Sequence, residues 1–256
     1  MSHASLLREV QLLGRRSLTE MWRTPEALVP SLFIPIFFLL VNVGQVSKTF
    51  PSSTPFLFGQ TYAAFQLPLS LMFATSDGAA AGGMVEDILS GYFDKLRATP
   101  MSRTALVLGR LVSTFVRSFA VGLLLCLLSM TIGVRFASGP VGVLVILVEM
   151  SLWSVIFAGT MQLLALKTRS YAALNASQII FFPVMFLTPN FVPRTLLARP
   201  MEVLAAFNPV TYLIESMRAL ILEGFQASVL LRAFSVLGVL VTIVVVANVR
   251  MINKSA

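Results

Sequence analysis

The chain has few of the side chains that most catalytic and metal sites require. Its 256 residues include one cysteine, Cys126, and one histidine, His3. A single cysteine forms no internal disulfide, and one residue of each kind cannot build a zinc site or a Cys–His nucleophile pair. We therefore expect no disulfide framework, no metal site and no catalytic residues in this chain.

Charge is also scarce. Charged residues make up 12% of the chain and hydrophobic residues 57%, with a mean hydropathy of +0.86. Soluble domains are about 25% charged, and a water-soluble fold of this size could not bury so much apolar surface. Because a helix satisfies its own backbone hydrogen bonds in lipid, the composition predicts an all-α polytopic membrane protein.

Six apolar runs are long enough to cross about 30 Å of hydrocarbon as helices. They cover 27–46, 57–83, 104–133, 139–166, 172–188 and 229–249. An even number of spans places both termini on one side, and the excess of Lys and Arg on that side predicts that it is the cytoplasm. The first run follows a charged, acid-containing segment, so no cleavable signal peptide is expected. The net charge of +8 then indicates membrane topology and not nucleic-acid binding.

The segment 1–24 is amphipathic, with apolar residues such as Leu6 and Val10 on one face and Arg8 and Arg15 on the other. This pattern predicts a helix lying in the membrane interface. The alternative is a juxtamembrane segment that only sets the topology.

A charged stretch, EDILSGYFDKLRATP, separates the second and third runs at 86–100. Its apolar residues recur at helical spacing and predict a helix over 86–98, with Gly91 in its middle and a stop before Pro100. Such a helix could lie on lipid headgroups or in a groove of a soluble partner. Its polar face carries acids as well as bases, which favours the protein partner.

Ionisable residues also fall inside the apolar runs. The third run carries a polar stripe at helical spacing: Arg110, Ser113, Thr114, Arg117 and Ser118. A charge in mid-membrane costs about 2.5–3.5 kcal/mol, so this stripe is expected to face the bundle interior or a wet cavity. Estimated depths pair Arg117 with Glu149 of the fourth run. The alternatives are contact with an ionic substrate or a role in proton transfer. Asp77 is expected to pair with Arg110 or another inner cation.

The segment 190–224 is cut by prolines into pieces too short to cross the membrane. Asn208 and Pro209 form an N-cap and first-turn pair, and Gly224 is a helix stop. The segment is therefore predicted to form short helices that dip into the outer leaflet. The alternative is a surface helix that caps the bundle.

Two longer motifs resemble those of a known family. The run EDILSGYFDKLRATPMSRTALVLGRLVSTFVR resembles the loop and following helix of ABC-2 type permeases, most closely the daunorubicin-resistance permease subgroup. The run FNPVTYLIESMRALILEGF resembles the segment N-P-[LV]-T-Y…E-x-[LM]-R-A-L of the same family. The first run departs from the wider ABC-2 pattern, which has an E-R-E-x-G-T-L-like sequence. With the six-run layout, the resemblance covers nearly the whole chain as a single domain, 1–256.

The resemblance implies a permease subunit of a bacterial ATP-binding cassette exporter in the cytoplasmic membrane. In that family the loop helix docks on a separate ATPase subunit, which carries ATP and Mg. The implied coupling residues are Glu86, Asp87, Gly91, Phe93, Asp94, Lys95, Leu96, Arg97 and Pro100. The chain itself has no G-x-x-x-x-G-K-[ST] motif. The family's re-entrant helices shape the outer gate, and the implied gate residues are Asn208, Pro209, Tyr212, Glu215 and Arg218.

The implied partners are the ATPase, a second copy of the chain or a paralogous permease, and membrane lipid. The implied cargo is amphipathic, a drug-like molecule or a lipid, moved outward by alternating access. Two alternatives from other classes are a membrane assembly subunit without transport and a membrane-embedded enzyme acting on lipid phosphates. The enzyme would need clustered Asp, His or metal ligands, whereas the acids of this sequence are scattered.

Overall fold

The computed structural model describes residues 3–23, 25–76, 79–91 and 102–254, and these ranges are helical with no strand. The α-helices are α1 His3–Arg23, α2 Pro25–Val46, α3 Tyr62–Thr75, α4 Ala79–Leu89, α5 Arg103–Thr131, α6 Gly139–Thr168, α7 Tyr171–Phe186, α8 Arg199–Phe207, α9 Pro209–Leu222 and α10 Ala227–Lys254. Short 3₁₀ helices lie at Pro55–Leu57 and Arg194–Leu196. The all-α prediction is confirmed for the described residues.

Three of these helices are long and apolar enough to cross a membrane. They are Thr104–Thr131 in α5, Gly139–Thr168 in α6 and Ala227–Asn253 in α10. At 1.5 Å per residue each is about 40 Å long, more than the hydrocarbon thickness. They coincide with the third, fourth and sixth predicted runs. The first and fifth runs coincide with α2 and α7, whose apolar parts Leu32–Val46 and Tyr171–Phe186 are shorter.

The second predicted run, 57–83, is not one helix. It comprises the end of the 3₁₀ turn at Pro55–Leu57, then α3, then the start of α4. Thr75 and Ser76 at the end of α3 donate their hydroxyls to backbone carbonyls of the preceding turn, including the Met72 carbonyl at 3.2 and 2.7 Å. Such bonds compete with the helix ladder, and α3 ends at Thr75.

The core lies where α3, α6 and α9 pack together. Every residue of α3 except Phe73 is buried, and α9 is buried along most of its length. The N–H groups of Ala137 and Ser138 donate to the carbonyls of Ile221 and Leu220 at 2.9 and 3.1 Å. These bonds join the end of α9 to the start of α6.

The long helices α5 and α6 pack in an antiparallel arrangement with a defined register. Ser118 of α5 and Ser154 of α6 share a hydrogen bond of 2.6 Å. One turn further along α5, a methyl group added at Gly122 would overlap Met150 of α6. These two pairs fix which residues of the two helices lie at the same depth.

Candidate coupling and gate sites

The helix before the predicted coupling segment is continuous from Ala79 to Leu89, so Glu86 and Asp87 belong to α4. The Gly91 N–H donates to the Ile88 carbonyl at 3.2 Å, and Gly91 has φ of 70°. Left-handed glycine is the usual residue just past a helix end. The expectation that a separate helix begins at 86 with Gly91 in its middle is therefore wrong.

The residues 92–101, called here the coupling loop, lie outside the described residues. They include six of the nine predicted coupling residues: Phe93, Asp94, Lys95, Leu96, Arg97 and Pro100. The structure describes the helices on either side of this loop, α4 before it and α5 after it.

Asp87 is the centre of an ionic network beside the coupling loop. Arg110 of α5 forms an ion pair and hydrogen bond with the Asp87 carboxylate and also donates to the Gly83 carbonyl at 3.3 Å. Arg16 of α1 lies 3.5 Å from the other carboxylate oxygen. Asp87 is thus an inner partner of Arg110. The predicted pairing of Asp77 with Arg110 or another inner cation falls on a residue outside those described.

The amphipathic helix α1 packs directly on α5. A Cβ at Gly109 would lie 2.8 Å from the Leu13 Cβ and 3.3 Å from the Gly14 backbone nitrogen. Near the start of α5, the Ser102 N–H donates to the Glu9 carboxylate at 2.9 Å. The apolar face of α1 therefore covers protein, at least around Leu13, and its polar residues reach both sides of the coupling loop.

The end of the molecule that carries this network also holds the α6–α7 connection. Tyr171, the first residue of α7, lies within electrostatic reach of Glu86 and Asp87. The basic residues Lys167, in the last turn of α6, and Arg169, directly after this helix, are exposed. Positive charge thus gathers at the end of the bundle where the coupling loop begins.

Glu149 of α6 is fully buried and bonds to Ser216 of α9. The Ser216 hydroxyl donates to one carboxylate oxygen at 2.7 Å, and the second oxygen has no hydrogen-bond partner. Arg117 is also buried, at 8% exposed. The structure does not show the expected Arg117–Glu149 pair.

The α5–α6 register explains this difference. The pairs Ser118–Ser154 and Gly122–Met150 place Glu149 level with residue 123 of α5. Arg117 is six residues away from that level, about 9 Å along the helix axis. Depths counted from the ends of apolar runs were not accurate enough to resolve this offset.

At the opposite end of the bundle, Arg218 of α9 is held almost entirely by backbone carbonyls. It is 6% exposed, and its guanidinium donates to the carbonyls of Phe65, Pro189 and Asn190 at 3.0, 2.5 and 3.0 Å. The guanidinium carbon also lies 3.6 Å from the centre of the Phe65 ring. Arg218 thereby joins α9, α3 and the segment after α7.

Asn208 caps α9 as expected, because its side-chain oxygen accepts from the Val210 N–H at 3.0 Å. Its amide group donates to the Val184 and Leu187 carbonyls at 2.5 and 3.2 Å. Pro209 follows as the first residue of the helix. The cap therefore also joins the α8–α9 corner to the end of α7.

The remaining two predicted gate residues have partners at the same corner. The Tyr212 hydroxyl donates to the Ala206 carbonyl at 2.7 Å. Glu215 lies 3.2 Å from Arg194, and the Arg194 guanidinium lies 5.9 Å from the centre of the Tyr212 ring. The five predicted gate residues are thus brought together with α7, α8 and the 3₁₀ turn at Arg194–Leu196.

The described residues contain no group of three His, Cys, Asp or Glu side chains placed to hold a metal ion. The sequence model of the ABC-2 type transporter family matches residues 8–222. The chain belongs to the ABC-2 type transporter family. Members of this family are membrane subunits of transporters and not enzymes.

This ABC-2 permease is also similar to a curated relative. It is 25% identical over 220 residues to the daunorubicin resistance ABC transporter permease protein DrrB1 of Streptomyces coeruleorubidus. The match covers 80% of this chain and 74% of the relative.

Two residues of the ABC-2 permease that the sequence reasoning missed are Glu9 and Arg16. Both lie on α1 and bind groups more than 70 residues away in the chain. The signal available in the sequence was Gly14, a small residue within an amphipathic helix, which indicates a close approach by another backbone.

Proposed function

We propose that the chain is the membrane subunit of an ATP-driven exporter of amphipathic molecules. The family match over 8–222 supports a transporter permease, and the name of the relative DrrB1 supports a role in drug resistance. The proposed cargo is a drug-like molecule, with lipid as the alternative cargo of the same physical class.

In this proposal the chain crosses the cytoplasmic membrane of a bacterium six times, with both termini in the cytoplasm. The helices α2, α5, α6, α7 and α10 each cross, and α3 and α4 cross together as one interrupted span. The helix α1 lies at the inner interface, and the segment 190–224 dips into the outer leaflet. The grouping of Arg16, Lys167 and Arg169 at one end supports this orientation.

The observation that carries the proposal is the ionic network on both sides of the coupling loop. Asp87, at the end of α4, is bound to Arg110 of α5. Helix α5 runs the full length of the bundle. A partner ATPase with ATP and Mg that grips the loop could therefore move a long helix directly. Closing of the ATPases would tip the bundle from inward-facing to outward-facing, as in transport by alternating access.

The permease is proposed to act as a pair, with a second copy or a paralogous permease, surrounded by lipid. The outer face of α5 is apolar and exposed, with Val112, Val116, Leu123 and Leu127 each 40% exposed or more. Such a face needs either lipid or another apolar helix against it.

The test is ATP-dependent drug uptake into inverted membrane vesicles. The chain is co-expressed with a partner ATPase of the ATP-binding cassette class, and daunorubicin is the probe. We expect uptake with ATP and none with a non-hydrolysable analogue. We also expect Phe93→Ala to reduce co-purification of the ATPase, because an apolar loop residue that fits a partner groove contributes to binding.

The matched control is Phe207→Ala, at a residue of α8 that is 83% exposed at the opposite end of the molecule. It should leave co-purification unchanged. ATPase binding that survives Phe93→Ala and Asp94→Ala together would contradict the assignment of the loop. Absence of any ATPase in the purified complex would contradict the exporter itself and favour the assembly subunit.

A further inference from the structure

We infer that Glu9 and Arg16 of α1 are positioning residues for the coupling loop, acting through Ser102 and Asp87. The inference rests on the proposed function, since coupling to an ATPase is what the positioning would serve. Asp87 was expected to couple to the ATPase, and within this chain its carboxylate also pairs with Arg110 and Arg16.

The first contact, between Arg16 and Asp87, holds the end of α4, which precedes the coupling loop. Asp87 lies two residues before the end of α4, and its carboxylate accepts from Arg110 and faces Arg16 at 3.5 Å. The side chains of Asp87 and Arg110 are each 14% exposed, and that of Arg16 is 33% exposed. Partly sheltered ion pairs are less weakened by solvent than pairs on an open surface. Asp87 therefore joins α1, α4 and α5 at one point.

The second contact, between Glu9 and Ser102, holds the start of α5, which follows the coupling loop. Ser102 is the N-cap residue of α5, and its own side chain makes no capping hydrogen bond. Its N–H group donates to the Glu9 carboxylate at 2.9 Å. A carboxylate at this position also interacts favourably with the partial positive charge of the helix N-terminus.

Both contacts are made by the same face of helix α1. Glu9 and Arg16 are seven residues apart, two helical turns on the same face of α1 and about 10 Å along its axis. Between them Gly14 and Gly109 allow the backbones of α1 and α5 to touch, with the Gly109 carbonyl 3.3 Å from a Cβ placed at Gly14. A helix packed this closely cannot slide without breaking both contacts. A force on the loop is thus transmitted to α4, α5 and α1 as one unit.

The Glu9 contact is tested by hydrogen exchange on the full-length chain in detergent, which needs no transport activity. Glu9→Ala should speed exchange of amides in 102–106 by about tenfold, the ratio for one lost charge-assisted hydrogen bond. Glu9→Gln keeps an acceptor oxygen but loses the charge, so its exchange should lie between that of the native protein and that of Glu9→Ala. Equal exchange in all three proteins would overturn the Glu9 assignment.

The Arg16 contact is tested in the reconstituted complex by the amount of daunorubicin exported per ATP hydrolysed. Arg16→Ala should lower this ratio about fivefold, for the loss of about 1 kcal/mol, while the ATPase still co-purifies. Arg16→Lys should restore it, and Arg15→Ala, at the exposed neighbouring arginine, should not change it.

The two ways of failing are distinguishable. If Arg15→Ala and Arg16→Ala give the same ratio, the positioning role is wrong although the exporter stands. If the native complex itself exports no drug with ATP, the proposed function fails, and the exchange experiment still decides whether Glu9 holds the start of α5.

Discussion

At the scale of single residues, Arg218 shows how this fold accommodates a buried charge. A buried cation is costly unless its hydrogen-bonding groups are satisfied. Here Nε, Nη1 and Nη2 each donate to a backbone carbonyl, and the Phe65 ring lies over the guanidinium. Because these acceptors belong to α3 and to the segment after α7, Arg218 stabilises tertiary contacts and not its own helix.

Replacing Arg218 with methionine tests this role, because methionine has a similar length and no donors. We expect the free energy of unfolding to fall by about 3 kcal/mol, since three buried carbonyls lose their shared donor. The measurement is unfolding of the purified protein by added SDS in mild detergent.

The control for that substitution is Arg199→Met. The Arg199 side chain is 82% exposed and pairs only at the surface, with Glu202 at 2.9 Å. Surface pairs of this kind contribute up to about 1 kcal/mol. Equal losses in the two variants would show that the carbonyl contacts of Arg218 do not stabilise the fold.

At the scale of elements, the corner between α8 and α9 depends on the side chain of Asn208, which contains both a hydrogen-bond acceptor and a donor. The Asn208 oxygen caps α9 through the Val210 N–H, and its nitrogen donates to carbonyls at the end of α7. Only an amide supplies an acceptor and a donor in this geometry. The three helices are therefore joined by asparagine in particular and not by N-capping residues in general.

This predicts an order of stability that a simple N-cap would not produce. Asn208→Ser keeps a capping oxygen and should cost about 1 kcal/mol. Asn208→Asp keeps the cap too, but its second oxygen faces the Val184 carbonyl and loses a donor, so it should cost more than serine does. The same SDS titration measures both variants, and an aspartate variant as stable as the native protein would contradict the role of the amide nitrogen.

The elements differ in how far the sequence predicts them. Helix positions for α2, α5, α6, α7 and α10 follow from apolar runs, and the cap at Asn208 follows from local residue types. The break after Thr75 was missed because apolar residues lie before and after the short polar run TSDG at 75–78, and the pattern predicts one continuous run. The partner of Asp87 was missed because Arg16 and Arg110 approach it from distant parts of the chain. Helix positions and caps can be predicted from the local sequence, whereas the register between helices and the partners of charged side chains depend on packing.

At the scale of the whole molecule, the two ends of the bundle are built from different chemistry. One end holds the ion pairs of Asp87 and the Glu9 cap, where salt bridges join helices that flank a loop. The other end also has a salt bridge, between Arg194 and Glu215, but its buried Arg218 and its capping Asn208 bind backbone carbonyls of α3, of α7 and of the segment after α7. Ion pairs between side chains can exchange partners as helices shift, whereas a saturated carbonyl site fixes one arrangement. The end that carries the Asp87 network is thus the better suited to receive a mechanical input.

The orientation of these ends can be measured with single cysteines, because the native Cys126 is buried at 2% exposed and should not react. In the proposed topology Ser52, in the exposed segment before α3, faces outward, and Thr168, at the exposed end of α6, faces the cytoplasm. A membrane-impermeant maleimide should therefore label Ser52→Cys in intact cells and Thr168→Cys only after lysis. If α3 and α4 did not cross together, both positions would lie on one side of the membrane, since α5 and α6 add two crossings between them. Labelling of both variants in intact cells, or of neither, would then contradict the six-span arrangement and place the coupling loop on the side of Ser52.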